Sequence, residues 1–506
     1  MANRIFIGDA AFTAAIGFLA GAFAADMGWK GAAFAGAGLL AAGIGVSANG
    51  LSFGSVRRAT RRLGVILAAI AAVFFAAGFF YCHFRIYLAQ DRERLPPPTA
   101  GSFRAIVDGW PASSWRYLTF QAILEAPFSG EITVFARPGS GAAYGDEVLI
   151  TGKVLPPRER GQPPAVFPRV VVRIATHRAS RLREALLSFR AAVFRKITTW
   201  VPGTAGALLG GETLGGTEAI GPSLKTDLSV SGTSYIVSMY GYKIAVIAMV
   251  IELALGFWAG RRTRSILAAA AVGVLVLMTG GNISAVRAAV MAWLALAAKW
   301  SGRVFDPRNA LAASAAGMTF ADPHLPADPA FVLSVLSVAG MFYLARPLER
   351  FFGWGGAAAG RWSAVLREAT IVAVASLLPI IPVIAVSFGD FSLMSFPSNI
   401  LIAPSVPPAA LAGTAVAAAG FLAPPAAPLV AKLAETVLLY QLAVIRLCAK
   451  VVLPAPPVFG SAAAIAAYFA ALLVFIHIYD APRRPAQPAS RTGLPGSVLT
   501  NGVREL

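Results

Sequence analysis

From Leu63 to Cys82 the chain runs for twenty residues without a formal charge, and from Gly31 to Phe53 it does so again. A helix needs about 20 apolar residues to cross the ~30 Å hydrocarbon core of a bilayer. No water pairs the backbone there, so such a run must close its own hydrogen bonds as a helix. Composition extends the argument: 57% of the 506 residues are hydrophobic and 13% are charged, against about 25% charged in soluble domains. The expected class is a polytopic α-helical membrane protein.

Three apolar segments open the chain, at 8–25, 31–53 and 63–88. Arg4 ahead of the first, with Ala22-Phe23-Ala24 near its end, has the outline of a signal peptide. Two further spans come closely after it, so an uncleaved helix is the reading. Arg57, Arg58, Arg61 and Arg62 lie between the second and third segments. Positive charge is retained on the cytoplasmic side, which sends the residues after the third span to the outer face. Residues 1–95 are thus read as N-terminal transmembrane helices.

The next stretch differs in kind. Residues 98–175 are polar and rich in β-formers, with strands expected at 103–107, 115–124, 131–136, 147–152 and 169–174 between Gly/Pro clusters. Five short strands in so few residues suit a small OB-like barrel, expected to be extracytoplasmic. Such barrels bind single strands by stacking bases on aromatics in a basic groove; Trp115, Arg116, Tyr117 and Lys153 are the candidates. The same aromatics would equally serve as the barrel's own core.

Residues 176–200 read as a basic amphipathic helix. Leu182, Leu186, Phe189, Val193, Ile197 and Trp200 recur at helical spacing, with arginines largely off that stripe. A helix of this type suits the membrane interface, with nucleic-acid phosphate as the other reading.

Residues 203–480 return to the membrane, with spans beginning near Tyr235, Ser265, Ala285, Ala310, Pro329, Ala369, Ser398 and Val458. Leu429–Val452 is open between span and interfacial helix because of Lys432, Glu435 and Arg446. The total is about 11–12 helices; if Leu429–Val452 spans, the basic loops at 261–264, 299–308, 346–367 and 483–491 all fall on the cytoplasmic side. Between Phe391 and Ala431 there is no charge, yet seven prolines stand at 397, 404, 407, 408, 424, 425 and 428. Broken helices around a cavity, or a kinked helix with a Pro-rich loop, are both consistent with them. Residues 481–506 are too polar to pack and read as a disordered tail. Cys82 and Cys448 lie in apolar segments, as membrane-buried thiols rather than a disulfide.

Lys and Arg total 43 against 24 Asp and Glu, a net charge of +19. Cytoplasmic loops account for much of such an excess; attraction to a polyanion is the sharper alternative.

Four segments then carry a specific pattern: GALLGGETLGGTEAIGPSLKTDLSVSGTSYIVSMYGYKIAV (206–246), NISAVRAAVMAWLALAAKWSGRVFDPRNALAASA (282–315), DPAFVLSVLSVAGMFYLA (328–345) and FPSNILIAPSVPP (396–408). Their order and content resemble the competence domain of the ComEC family of bacterial DNA-uptake proteins. The barrel, with Gly145-Asp146 and Gly152 before Pro156, is similar to the family's N-terminal OB-like domain. The resemblance implies a conduit for single-stranded DNA, with Lys243, Arg287, Asn282, the serine of Asn282-Ile283-Ser284 and Asn399 as channel residues. The cell inner membrane, membrane lipids and separate DNA-receptor, nuclease and ATP-driven motor partners come with it.

Departures matter as well. Where the family has H-x-x-x-x-S-G-x-H, this chain has Tyr235, Tyr240, Gly241 and Lys243, and the Gln of the later motif is Val332. The C-terminal metallo-β-lactamase-like domain of many members has no counterpart in these residues. His83, His177, His324 and His477 have no metal-ligand spacing, and there is no phosphate loop. No catalysis and no cofactor are expected. A secondary transporter of a small solute and a non-conducting DNA-binding scaffold remain the other readings.

Overall fold

Small residues let the first two helices touch backbone to backbone. In the computed structural model, α1 (Ala2–Met27) and α2 (Arg57–Arg92) run parallel. A Cβ built on Gly17 would meet the Ala71 carbonyl, one on Gly21 the Phe75 carbonyl, and one on Gly78 the Phe18 carbonyl. Gly17 and Gly21 form a Gly-x-x-x-Gly pair, the spacing that lets membrane helices approach closely. Tyr81 of α2 donates to the Phe320 carbonyl at 2.8 Å and stacks on its ring at 4.6 Å, tying the pair to the later bundle.

The structure describes residues 2–27, 57–92, 96, 101–108, 111–113, 117–137, 139–155, 164–176, 180–216, 220–238, 240–255, 259–354, 360–388, 392–451 and 461–480. The expected span at 31–53, the tail from 481, and Trp115 and Arg116 lie outside them. The four arginines at 57–62, expected in a loop, stand in the first turns of α2.

The inserted domain is a closed barrel of five strands: β1 (Gly101–Val107), β2 (Leu118–Leu124), β3 (Glu131–Ala136), β4 (Glu147–Leu155) and β5 (Ala165–Ala175). Their neighbour order is β1-β4-β5-β3-β2, closed by β2 pairing back on β1, and β3 and β5 are parallel while the other pairs are antiparallel. That is OB-type topology. Alternation on β1, β2 and β3 turns Phe103, Ala105, Val107, Phe120, Ala122, Leu124, Ile132 and Val134 into one core. Gly152 sits at a register shift against β5, where a Cβ would come within 2.9 Å of the Pro168 Cα. Gly145 turns the chain into β4 at φ 82°, and the Asp146 carboxylate accepts the Ala143 N–H at 2.8 Å.

The bundle comprises α3 (Arg181–Trp200), α4 (Gly203–Leu214), α5 (Pro222–Val230), α6 (Tyr235–Ser238), α7 (Tyr240–Ala254), α8 (Arg261–Met278), α9 (Ile283–Trp300), α10 (Pro307–Ala321), α11 (Pro329–Phe351), α12 (Arg361–Leu377), α13 (Ile381–Phe388), α14 (Ser395–Ile402), α15 (Val406–Leu422), α16 (Ala427–Ala449) and α17 (Ala462–Asp480). Among the described residues, six helical stretches are long and apolar enough to cross a membrane: Ala69–Leu88, Ile283–Trp300, Pro329–Phe351, Ser363–Ser387, Ser395–Leu422 and Pro424–Ala449. Ala10–Ala25 and Ala463–Tyr479 are shorter apolar helices. The expected spans near Tyr235 and Ala310 are 15-residue helices, α7 and α10.

The amphipathic helix α3 buries part of the stripe read from the sequence: Val193 and Ile197 are in the core, and Leu186 and Trp200 pack against it. Leu182 and Phe189 are exposed, while Leu187, Arg190, Val193 and Ile197 face the bundle core. Toward its N-terminal half the buried face shifts to Leu187 and Arg190, which brings an arginine inside as α3 packs on the bundle. Most of segment 429–452 falls in a helical stretch, Pro424–Ala449, long and apolar enough to cross a membrane. In α16, Ala427, Ala431, Ala434, Leu438, Gln441, Leu442, Ile445 and Cys448 recur at helical spacing and are buried, Lys432 and Arg446 lie at exposed positions between them, and Glu435 is half-buried.

The prolines of 391–431 fall where helices tolerate them. Pro404 and Pro424-Pro425 occupy single 3₁₀ turns, and Pro407-Pro408 and Pro428 occupy first turns, where no intrahelical N–H is required. The Ser395–Leu422 stretch is therefore a broken helix, interrupted at Ala403–Ser405. Cys82 and Cys448 are both free and buried.

Candidate functional site: a buried polar seam and an aromatic barrel face

Glycine makes α4 a helix whose backbone can be reached from outside. Gly210 abuts the Phe194 ring of α3, and Gly413 of α15 abuts Thr213 and Leu209. Helix ends leave carbonyls without intrahelical donors, and α4 ends at Leu214 deep inside the bundle. Three side chains donate to carbonyls at and around this end, though the Gly211 carbonyl also accepts the Gly215 N–H at 2.8 Å. Lys243 Nζ donates to the Gly211 carbonyl at 3.0 Å and to the Val237 carbonyl at 2.6 Å. Tyr242 Oη donates to the Glu212 and Ile236 carbonyls at 3.3 and 3.2 Å, and Arg190 donates to the Gly215 carbonyl at 2.8 Å. Cations at helix C-termini also meet the negative end of the helix dipole.

Lys243 is 2% exposed, with its ammonium 4.5 Å from the centre of the Tyr240 ring. Two of its three donors are bound to carbonyls of the protein, so the cation expected to line a channel is buried here. The position where the family carries its last motif histidine is here a structural cross-tie between α4, α6 and α7.

A second junction joins two of the motifs. On α9, Arg287 is 7% exposed and donates from Nε to Ser334 Oγ of α11 at 2.7 Å. Ser284 Oγ reaches the same hydroxyl at 3.2 Å, and the guanidinium also approaches Met291 Sδ at 3.6 Å. No carboxylate pairs with Arg287 among the described residues, and the Glu252 side chain lies outside them. Asn282 proves to be the N-cap of α9, accepting from the Ser284 N–H at 3.0 Å. Asp306 and Asp328 do the same for α10 and α11. Both Asp-Pro motifs are thus an N-cap with proline next to it in the first turn.

The third junction is the 231–233 turn against α14. Ser398 Oγ donates to the Ser231 carbonyl at 2.7 Å, and Asn399 Nδ2 donates to the Gly232 carbonyl at 3.4 Å. Gly232 has φ 68°, and a Cβ there would meet the Ser395 hydroxyl. Asn399 is fully buried, so it joins the first motif to the last rather than facing a pore in this conformation.

The barrel presents the complementary feature. Tyr117, at the start of β2, meets Phe135 of β3 edge-on at 6.3 Å and Phe167 of β5 at 6.0 Å, while Phe135 and Phe167 stack at 4.9 Å. Tyr117 and Phe167 are 40% and 43% exposed, so these rings lie on the outer surface and not in the core. Lys153 of β4 is the register partner of Phe167 and is exposed beside it. Sequence reading found Tyr117 and Lys153 but missed Phe135 and Phe167, which only the parallel β3–β5 pairing brings together. In the bundle it missed Ser334, Gln441 and Arg190. Gln441 is an isolated polar residue in an apolar helical run, and Arg190 falls on the 187–193–197 spacing.

Fold and seam together define a multi-pass membrane protein with an inserted OB-type barrel. The Competence protein family matches residues 213–478, more than half of the chain, and the chain belongs to that family. Membership ties it to competence, the uptake of DNA. No curated protein and no solved structure gives a match.

Proposed function

We propose that this protein is the inner-membrane conduit for single-stranded DNA in natural transformation, with the barrel on the extracytoplasmic side receiving the strand. The observation that carries this reading is the Tyr117–Phe135–Phe167 platform, with Tyr117 and Phe167 exposed and Lys153 at its side. It lies toward the β2–β3 face, where OB barrels hold oligonucleotides, and stacking is sequence-tolerant because every base has a π-face. The bundle then passes the strand inward. The chain itself is non-catalytic; a DNA receptor, a nuclease and an ATP-driven motor are separate partners.

Binding of a labelled oligonucleotide to the purified full-length protein tests the platform. Stacking is worth about 1–3 kcal/mol per base, so Tyr117→Ala and Phe167→Ala should each weaken binding by about fivefold to a hundredfold. The bound strand should be recovered uncut in the presence of divalent metals. Unchanged affinity in both variants would remove the platform from the proposal. Metal-dependent cleavage abolished by a point mutation in the chain would remove the non-catalytic role.

Orientation has its own check. Gln121 is exposed on β2. In a background lacking Cys82 and Cys448, Gln121→Cys should react with an impermeant thiol reagent in cells whose inner membrane is intact. Labelling only after inner-membrane lysis would place the barrel in the cytoplasm.

A further inference from the structure

Glu212 is 0% exposed, and neither of its carboxylate oxygens has a hydrogen-bond partner among the described residues. Gln441 beside it is equally buried; its Nε2 donates to Ser405 Oγ at 3.1 Å, and its Oε1 has no donor. Both Glu212 oxygens and Gln441 Oε1 are thus buried acceptors without a hydrogen-bond donor among the described residues. The nearby Lys243 ammonium gives two of its three hydrogens to the Gly211 and Val237 carbonyls, lies against the Tyr240 ring and makes no hydrogen bond to Glu212. A charge buried without a pairing partner is costly, and so is an acceptor without a donor.

We infer that Glu212 is a proton-binding site, its carboxyl held neutral inside the bundle and supplying the missing donor to this acceptor cluster. A proton suits the cluster better than a metal cation, which would place a second positive charge beside Lys243. The charged and titratable groups around α4 are accounted for. From α3 comes Arg190, bound to the Gly215 carbonyl; from α7 come Lys243, Tyr240 and Tyr242. α15 carries no ionisable side chain. α16 presents neutral Gln441, while Lys432 and Arg446 are exposed and Glu435 pairs with Lys432 at 3.2 Å. At twelve residues, α4 is not among the helices long enough to cross the membrane. Burial, the largest effect, pushes the Glu212 carboxyl from 4.5 up to about 8, against the opposing Gln441 amide and Lys243 charge.

The folded carboxyl holds its proton to higher pH than the unfolded one. Its contribution to stability is full below 4.5 and is lost as pH rises toward about 8. Infrared spectra of the purified full-length protein in lipid nanodiscs, midway between these values, should contain the carbonyl stretch of a protonated carboxyl. Glu212→Gln should remove that band and flatten the fall of thermal stability with rising pH. Gln441→Leu should shift the band, which tests the site even where Glu212→Gln does not accumulate. A wild-type spectrum without a protonated carboxyl overturns the inference, as does a band that neither variant alters; water would then fill the cluster around an ionised Glu212.

Discussion

Arg287→Gln is expected to lower transformation by about tenfold to a hundredfold while the protein still accumulates in the membrane. Hydrogen bonds to charged groups are worth about 1.5–3 kcal/mol, which is that range when lost from a rate-limiting step. The expectation rests on where the guanidinium lies. It is buried between α9 and α11, bonded to the Ser334 hydroxyl, with no carboxylate partner among the described residues. A cation at the centre of a membrane helix costs about 2.5–3.5 kcal/mol on insertion scales. Removing it should not reduce insertion, so any loss of uptake reports on function. Arg287→Lys should retain part of the activity, because a passing phosphate needs the charge more than the planar fork. If Arg287→Gln instead reduces abundance and Glu252→Gln restores it, the arginine belongs to an ion pair. Normal uptake by an abundant Arg287→Gln protein would show that the conduit does not use this charge.

Gly21→Leu should be among the most damaging changes for assembly. Its Cβ would enter the Phe75 carbonyl of α2, and the helices are held equally close at Gly17 and Gly78. Overpacking a well-packed site costs about 1–3 kcal/mol, occasionally more, and here the obstacle is backbone that no rotamer change can move. The full-length variant should accumulate several-fold less and unfold at lower temperature. Val73→Leu, on the exposed side of α2, is the control and should behave as wild type. Wild-type abundance and stability in Gly21→Leu would mean that α1 and α2 do not pack through these glycines.

Local physics made much of the fold legible. Uncharged runs identified helices, alternation and turn residues identified the barrel, and the Asp-Pro segments opened helices because capping is a property of adjacent residues. The buried face of α3 was legible at Val193 and Ile197 but not at Arg190, because hydrophobicity alone cannot show an arginine folding inward onto the Gly215 carbonyl. Lys243 and Asn399 were recognised as unusual, but their partners are backbone carbonyls, and no side-chain pattern announces a carbonyl. The aromatic platform was half visible for a related reason. Phe135 and Phe167 are far apart in the chain and become neighbours only through a non-local parallel pairing.

The glycine contacts reverse the usual map of mutational tolerance. In a soluble core the largest side chains are the costliest to change, since truncation leaves a cavity. At Gly21, Gly340 and Gly413 the neighbours stand where a Cβ would be: the Phe75 carbonyl, the Ala375 carbonyl with Pro379, and Thr213. Every codon change that replaces a glycine adds atoms, and no smaller residue exists to drift towards. Exposed leucines such as Leu422, Leu429 and Leu433 have several apolar substitutes within one nucleotide. Selection on this chain should therefore bear hardest on its smallest residues, leaving its bulkiest outward-facing ones free to vary.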